Sequence, residues 1–248
     1  MNVVMLLYPN MTQLDLTGPF EVLAQFEELR LHLVWKTAEP VCDAGGLKLV
    51  PTGSFADCPP CDILFVPGGP GQIDLMADDV VLGFLKAQAV TARLVTSVCT
   101  GSLVLAAAGL LTGYRATCHW LSLPQLAYFG AEPVAERVVR DRDRLTGAGV
   151  TSGIDFGLTL VATLFGESRA QRAQLAMEYD PAPPFDAGSP GRADPVLVSE
   201  VRRTASAFQA RREAVARTAA ARLPAASPDR TRPLGDAPEG SQSNLAQP

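Results

Sequence analysis

Four short runs rich in apolar residues, Val3–Leu7, Leu31–Thr37, Ile63–Val66 and Leu94–Val98, alternate along the chain with stretches of helical character. Runs of this length, bounded by turn residues, predict strands buried within a core. Strands separated by helices predict a parallel sheet with helices on both faces. The predicted fold class is therefore α/β, a parallel-sheet α/β/α sandwich of flavodoxin-like kind. Pro9 ends the first run, Pro67-Gly68-Gly69-Pro70-Gly71 the third and Cys99-Thr100-Gly101-Ser102 the fourth. Gly18-Pro19 predicts a helix start, with Glu21 in its first turn. Further helices are expected at Asp79–Ala89, Leu103–Ala108 and Gly153–Phe165. Glu132–Val139 and Arg144–Thr146 are expected to be strands around the charged turn Arg140–Asp143.

Composition narrows the function classes. The chain has 248 residues, 47% hydrophobic and 19% charged, with a formal net charge of −5. That balance argues against a general nucleic-acid binder, which carries an excess of Lys and Arg. No apolar run approaches the ~18 residues that a membrane span needs. The N-terminus has no basic region and no small-residue cleavage site, so no signal peptide is expected. Five cysteines, an odd number, fit free thiols in a reducing cytoplasm. A shift near Gly166 divides the chain. All later basic residues are Arg, and half of the twenty prolines follow Tyr179. Pro181–Pro195 reads as a loop and Val196–Leu223 as an extra C-terminal helix, with a solvated Arg face and an Ala/Val/Phe208 stripe on the body. Residues 1–223 are expected to form one domain with that helix as an appendage. The 224–248 segment is expected to be a disordered tail.

The most informative stretch is Leu94–Ser102. A buried strand stops, Cys99 occupies the corner, and small residues let a helix begin at once. Open α/β folds bind ligands at this end of the sheet, and a strand-to-helix corner is the geometry of a nucleophile elbow. Unpaired N–H groups at the helix start favour a thiolate, the reactive form of cysteine. A free Cys also serves commonly as a small buried apolar residue, and the local pattern leaves both roles open. Gly68-Gly69-Pro70-Gly71 sits at another strand end, where backbone N–H groups can approach a ligand, although a plain turn explains it equally. Cys58-Pro59-Pro60-Cys61 has redox spacing but precedes a strand, so it reads as a loop pair. With two distant histidines it is too sparse for a zinc site.

Five segments in order, Asp15-Leu16-Thr17-Gly18-Pro19, Val66–Gly71, Ser97–Ser102, Arg115–Trp120 and Gly153–Gly157, make the chain resemble the ThiJ/PfpI superfamily, which has a class I glutamine amidotransferase-like fold. The Cys-Thr-Gly-Ser corner and the upstream Asp15 bring it near the isocyanide hydratases and the sensor domains of AraC-like regulators. Cys118 departs from the usual Thr before the His-Trp pair.

The resemblance implies hydration of an isocyanide, R–NC, to an N-substituted formamide through a cysteine thioimidate, with no metal and no other cofactor. It assigns Cys99 as nucleophile, Asp15 as general acid and base, and Thr100 as an orienting group. Gly68, Gly69 and His119 are expected to line the substrate site. A raised pKa is expected at Asp15, because burial of its charge and the neighbouring thiolate both favour the neutral carboxyl. Apart from the resemblance, Asp15 also reads as a polar loop residue, and His119 as structural. Asp155 reads as a helix-end charge and His32 as structural. The implied partners are an isocyanide, water and a second copy in a homodimer. The alternatives are a regulator's sensor domain, or another cysteine-dependent member such as a glyoxalase, deglycase or peptidase. The Arg-rich C-terminal helix lacks the partner helix and tight turn of a DNA-binding module.

Overall fold

Strands buried on both faces must satisfy every polar group within the protein, and the central strands do so. The computed structural model describes residues 1–224. Along the chain it forms β1 (Asn2–Leu6), α1 (Gln13–Leu23), β2 (Arg30–Trp35), β3 (Val41–Cys42), β4 (Lys48–Leu49), β5 (Gly53–Ser54) and β6 (Ile63–Val66). There follow α2 (Gln72–Leu75), α3 (Asp79–Ala89), β7 (Leu94–Val98), α4 (Gly101–Ala107), β8 (Arg115–Ala116), a 3-10 helix (Leu123–Phe129), β9 (Glu132–Pro133), β10 (Val138–Asp141) and β11 (Arg144–Gly147). Three helices close the described chain: α5 (Ser152–Phe165), α6 (Glu167–Ala176) and α7 (Pro195–Ala220).

The main sheet has the order β10-β11-β7-β6-β1-β2-β5. All its pairings are parallel except the β10–β11 hairpin. Every residue of β6 and β7 is buried. The polar members of β7 are bonded internally: Thr96 Oγ1 donates to the Leu64 carbonyl at 2.8 Å, and Ser97 Oγ lies 2.9 Å from Ser102 Oγ. Helices α1, α5 and α6 pack as one group, and α2, α3, α4 and α7 with the 3-10 helix as another. The predicted α/β/α sandwich is therefore present, with its extra C-terminal helix.

Several local expectations change. Helix α1 begins at Gln13 rather than at Gly18-Pro19, which lies inside it. Its turns cross α5 closely, Gly18 against Ile154 and Pro19 against Gly153, and that packing overrides the proline's local preference for a first turn. The single strand expected at Glu132–Val139 is split. Glu132–Pro133 pairs with β8, while Val138–Asp141 joins the main sheet. Pro133 has no N–H to continue a ladder. The 224–248 tail lies, after Pro224, outside the described residues.

At the β7–α4 corner, a methyl group on Gly101 would sit 2.1 Å from the Val66 carbonyl oxygen and 2.7 Å from that of Pro67. Helix α4 thus starts against the end of β6 with no room for a side chain. Gly101→Ala is expected to cost about 2–3 kcal/mol by overpacking. Gly83, on the exposed face of α3 with nothing near its would-be Cβ, gains ~0.5–1 kcal/mol on mutation to Ala. Urea denaturation should rank Gly83→Ala above the parent and Gly101→Ala below it; equal effects would contradict the packing.

Candidate active site

Three adjacent parallel strands, β6, β7 and β11, end together, and their following loops form the site. Cys99 closes β7 with φ of 58°, a left-handed conformation that costs a non-glycine residue free energy. Its N–H lies 3.0 Å from the Gly147 carbonyl and 2.8 Å from that of Ala148. These contacts hold the corner from the β11 side. Ser102 Oγ donates to the Thr117 carbonyl at 2.7 Å, which ties α4 to the segment carrying Cys118 and His119.

The β6 side is built by glycines. The Gly68 N–H donates to Asp15 Oδ2 at 3.0 Å, and the Gly68 carbonyl accepts from the Thr12 N–H at 3.0 Å. A Cβ on Gly68 would lie 2.8 Å from both Asp15 Oδ2 and Cys99 Cβ. The acid and the thiol therefore meet across this glycine. Gly69, at φ 130°, donates its N–H to Thr100 Oγ1 at 3.0 Å. The N–H groups expected to face substrate are thus engaged by Asp15 and Thr100.

Asp15, in the first turn of α1, is completely buried. Its Oδ1 has no hydrogen-bond partner of good geometry among the described residues. Burial pushes its pKa from 3.8 to about 7, against smaller downward effects of the Cys99 thiol and the Gly68 N–H. The expected rise is present, but its cause is desolvation alone. The thiol opposes it, because a neutral S–H stabilises the carboxylate instead of repelling it.

Cys99 also differs from expectation. Burial, then the Asp15 charge and Cys118, push its thiol well above the ordinary value; the Thr100 N–H pulls weakly the other way. A helix start is worth typically ~0.3–1 kcal/mol, whereas full burial shifts a pKa by up to ~3–5 units. Desolvation outweighs the helix start, so burial favours the protonated sulfur.

His119 is half-buried, and its Nδ1 accepts from the Leu121 N–H at 3.3 Å. Burial, then the Arg212 charge, lower its pKa. It forms no hydrogen bond to Cys99 or Asp15 among the described residues. Asp155 accepts from Tyr179 Oη at 3.1 Å and pairs with Arg137. Cys58 and Cys61 lie before β6, and burial raises their thiols to about 11 and about 12. No group of three or more His, Cys, Asp or Glu side chains among the described residues is arranged to hold a metal ion. No helix among them is long and apolar enough to cross a membrane.

Two neighbours of the site were absent from the sequence expectations. Tyr8, just beyond β1, is fully buried and donates to the Pro67 carbonyl at 2.9 Å. Arg212, from α7, is 5% exposed and donates to Gln72 Oε1 and Ser122 Oγ at 2.9 and 3.0 Å. The stripe expected to face the body is reversed at this point: Phe208 is 37% exposed and Arg212 is inside. Tyr8 carried a weak signal, a polar tip at the end of an apolar run. Arg212 carried none, being one of six arginines in an Arg-rich helix.

Comparison with known proteins decides the family. The profile of the DJ-1/PfpI family matches residues 1–163. The chain belongs to the DJ-1/PfpI family. Within it, the chain is 52% identical over 218 residues to an isonitrile hydratase of Pseudomonas putida, covering 88% of this chain and 96% of that protein. A ThiJ/PfpI family protein from Pseudomonas syringae has a crystal structure with TM-score 0.85 and 44% identity, covering 87% of this chain and 90% of that one. A helix-turn-helix-type transcriptional regulator of Pseudomonas aeruginosa, GbdR, is 33% identical over 170 residues, 65% of this chain but 46% of the regulator. Beyond the residues matched by the family profile, the described part of this chain offers only the end of α5, with α6 and α7, and the segment 177–194 separates those last two helices.

The Asp15 shift makes stability depend on pH in a definite direction. Between about 4 and about 7 the folded protein holds a proton on Asp15 that the unfolded chain has lost, so stability falls as pH rises through that window. Asp15→Asn removes the penalty. The variant is expected to melt above the parent at pH 8, by an amount corresponding to a few kcal/mol, with the gain shrinking towards pH 4. A pH-independent difference between the two would contradict a buried, proton-holding Asp15.

Proposed function

We propose that this protein is an enzyme of the hydro-lyase kind that hydrates isocyanides to N-substituted formamides. The observation that carries the reading is the meeting of the Asp15 carboxyl, with a pKa of about 7, and the Cys99 thiol across Gly68. The 52% identity to an isonitrile hydratase supports the substrate class.

An isocyanide carbon is both an electron-pair donor and an electrophile, so attack on it needs a nucleophile and a proton at one atom. Asp15 as carboxylate takes the thiol proton while the sulfur bonds to that carbon, and then delivers the proton to the same carbon. The product is the thioimidate R–N=CH–S on Cys99. Water next adds to this carbon, and the proton it loses passes through Asp15 to the nitrogen, giving R–NH–CH(OH)–S on Cys99. Collapse of this tetrahedral adduct breaks the C–S bond and releases R–NH–CHO, while the hydroxyl proton passes through Asp15 to the sulfur. The sum is R–NC plus water giving the formamide, with the pair restored. The Thr100 N–H, directed at the sulfur, steadies the anion that forms there. The Thr100 hydroxyl, held by Gly69, keeps the corner in register. Gly68 and Gly69 shape the wall beside Cys99, and His119 is a neighbouring ring whose charged form burial disfavours.

The same reading takes the protein as a homodimer in a reducing cytoplasm. Apolar Val196, Leu197 and Val201 on the exposed side of α7 and five free thiols support it. A reading as a regulator's sensor domain is weaker, because identity is 33% to GbdR and 52% to the isonitrile hydratase.

The test is a panel of cyclohexyl isocyanide and methylglyoxal, followed as formamide and lactate. Formamide is expected from the parent. Cys99→Ala should lose at least about 10³-fold in kcat/KM and Asp15→Asn about 10²–10⁴-fold. The reactive state has Asp15 ionised and Cys99 protonated, so kcat/KM should rise as pH increases through about 7. That step should be absent in Asp15→Asn. Turnover that survives Cys99→Ala would sink the mechanism, and lactate without formamide would favour the glyoxalase alternative.

A further inference from the structure

Arg212 is unlike the surface arginines of α7 and of the residues just after it. Arg211, Arg217 and Arg222 pair at the surface with Asp74, Glu213 and Asp79. Arg212 is buried and forms no ion pair among the described residues. Its only hydrogen-bond acceptors there are the neutral Gln72 Oε1 and Ser122 Oγ. The Phe208 ring, one turn earlier on α7, lies 4.6 Å from its guanidinium carbon. Burying a cation without a carboxylate is expensive. An apolar residue in its place would remove that penalty, so stability does not explain the arginine.

What the guanidinium joins is informative. Gln72 follows directly on the Pro67–Gly71 loop, which holds Asp15 and Thr100 through Gly68 and Gly69. Ser122 closes the turn that carries His119, its N–H donating to the His119 carbonyl at 2.8 Å. Arg212 therefore links the loop after β6, which borders Cys99, to the turn that carries His119. It is also the only positive charge acting on Tyr8, Cys118 and His119 among the described residues, and Cys99 acts on it in turn. Burial raises the Tyr8 hydroxyl and the Cys118 thiol, and Arg212 pulls against that rise; on His119 it adds to the lowering by burial.

We propose that Arg212 is a positioning residue of the reaction, a buried cation that braces the Gly68–Gly69 loop against the His119 turn and offsets negative charge that forms on Cys99. As a statement about turnover this rests on the hydratase reading. As a statement about the sulfur it does not. Without this cation, ionising the thiol beside Asp15 is harder, and less thiolate is present at a given pH.

The experiment compares the parent with Arg212→Met, Arg212→Gln and Arg212→Lys, each checked for folding by circular dichroism. Alkylation by iodoacetamide is followed at the Cys99 peptide by mass spectrometry from pH 6 to 10. In either neutral variant the rate at fixed pH is expected to fall about tenfold, one pH unit in the profile. Arg212→Lys should stay within about threefold of the parent. A purely structural role predicts the reverse, because loosened loops expose Cys99 and speed its alkylation. Unchanged or faster alkylation in a folded neutral variant overturns the proposal. Isocyanide kinetics form the second arm: kcat should fall about tenfold in the neutral variants with KM little changed, and Arg212→Lys should recover most of it. If the parent itself turns over no isocyanide, the hydratase reading fails, while alkylation still decides the role of Arg212.

Discussion

The left-handed corner at Cys99 is the constraint on which the rest of the site depends. Strand β7 lies between β6 and β11, so a sharp turn at its end brings the two neighbouring loops to the same sulfur. Each loop answers with a backbone device. From β11, the Gly147 and Ala148 carbonyls face the Cys99 N–H; on the β6 side, Gly68 in its loop and Gly101 at the start of α4 leave out side chains where there is room for none. A non-glycine residue at φ 58° persists only where its surroundings over-determine it. Here the surroundings are the strand order itself, so a change in the sheet would be felt first at the thiol.

The second consequence is electrostatic. Packing Asp15 and Cys99 into one dry space makes each harder to ionise. Neither group alone is a strong base or a ready nucleophile at neutral pH. As a pair they hold a proton that either can use, with the carboxyl titrating near 7 and the thiol above it. Such a pair suits a neutral electrophile that must receive sulfur and hydrogen together. It suits less well a reaction that needs a standing thiolate, which calls for a depressed thiol pKa and a cationic partner such as imidazolium. The only nearby imidazole, His119, is held neutral.

Much of this was legible in the sequence. The buried strands at Ile63–Val66 and Leu94–Val98 and the helix at Asp79–Ala89 fall where periodicity puts them, because each is short, strongly patterned and bounded by turn residues. The Cys99 corner was visible for the same reason, since the strand ends and small residues begin at one position. Asp15 was placed through family resemblance; its pattern alone also fitted a polar loop. The failures share a cause. Pro19 inside α1, the reversed stripe on α7 and the buried Arg212 are set by contacts between segments distant in the chain, and local preference yields to such packing. At Cys99 the helix start is readable in sequence, whereas the depth of burial that pushes the thiol upward is not.

Arg212 shows how a charge count misleads when burial is unknown. The first 166 residues carry the excess of acid, and the later arginines read as a solvated appendage. One of them is inserted into the acidic body, where a single fixed cation outweighs many at the surface, because water and salt screen exposed charges within about 8–10 Å while a buried one acts through a poor dielectric. The C-terminal helix lies beyond the region matched by the family profile, which ends at residue 163. A site built from the sheet alone would contain the Cys99 thiol and the Asp15 carboxyl but no counter-charge. The helix supplies one through Gln72 and Ser122, so the electrostatic balance of the site is decided by a segment outside the shared core. Members of the family that keep the Cys99 corner but end differently should then differ in thiol reactivity before they differ in geometry.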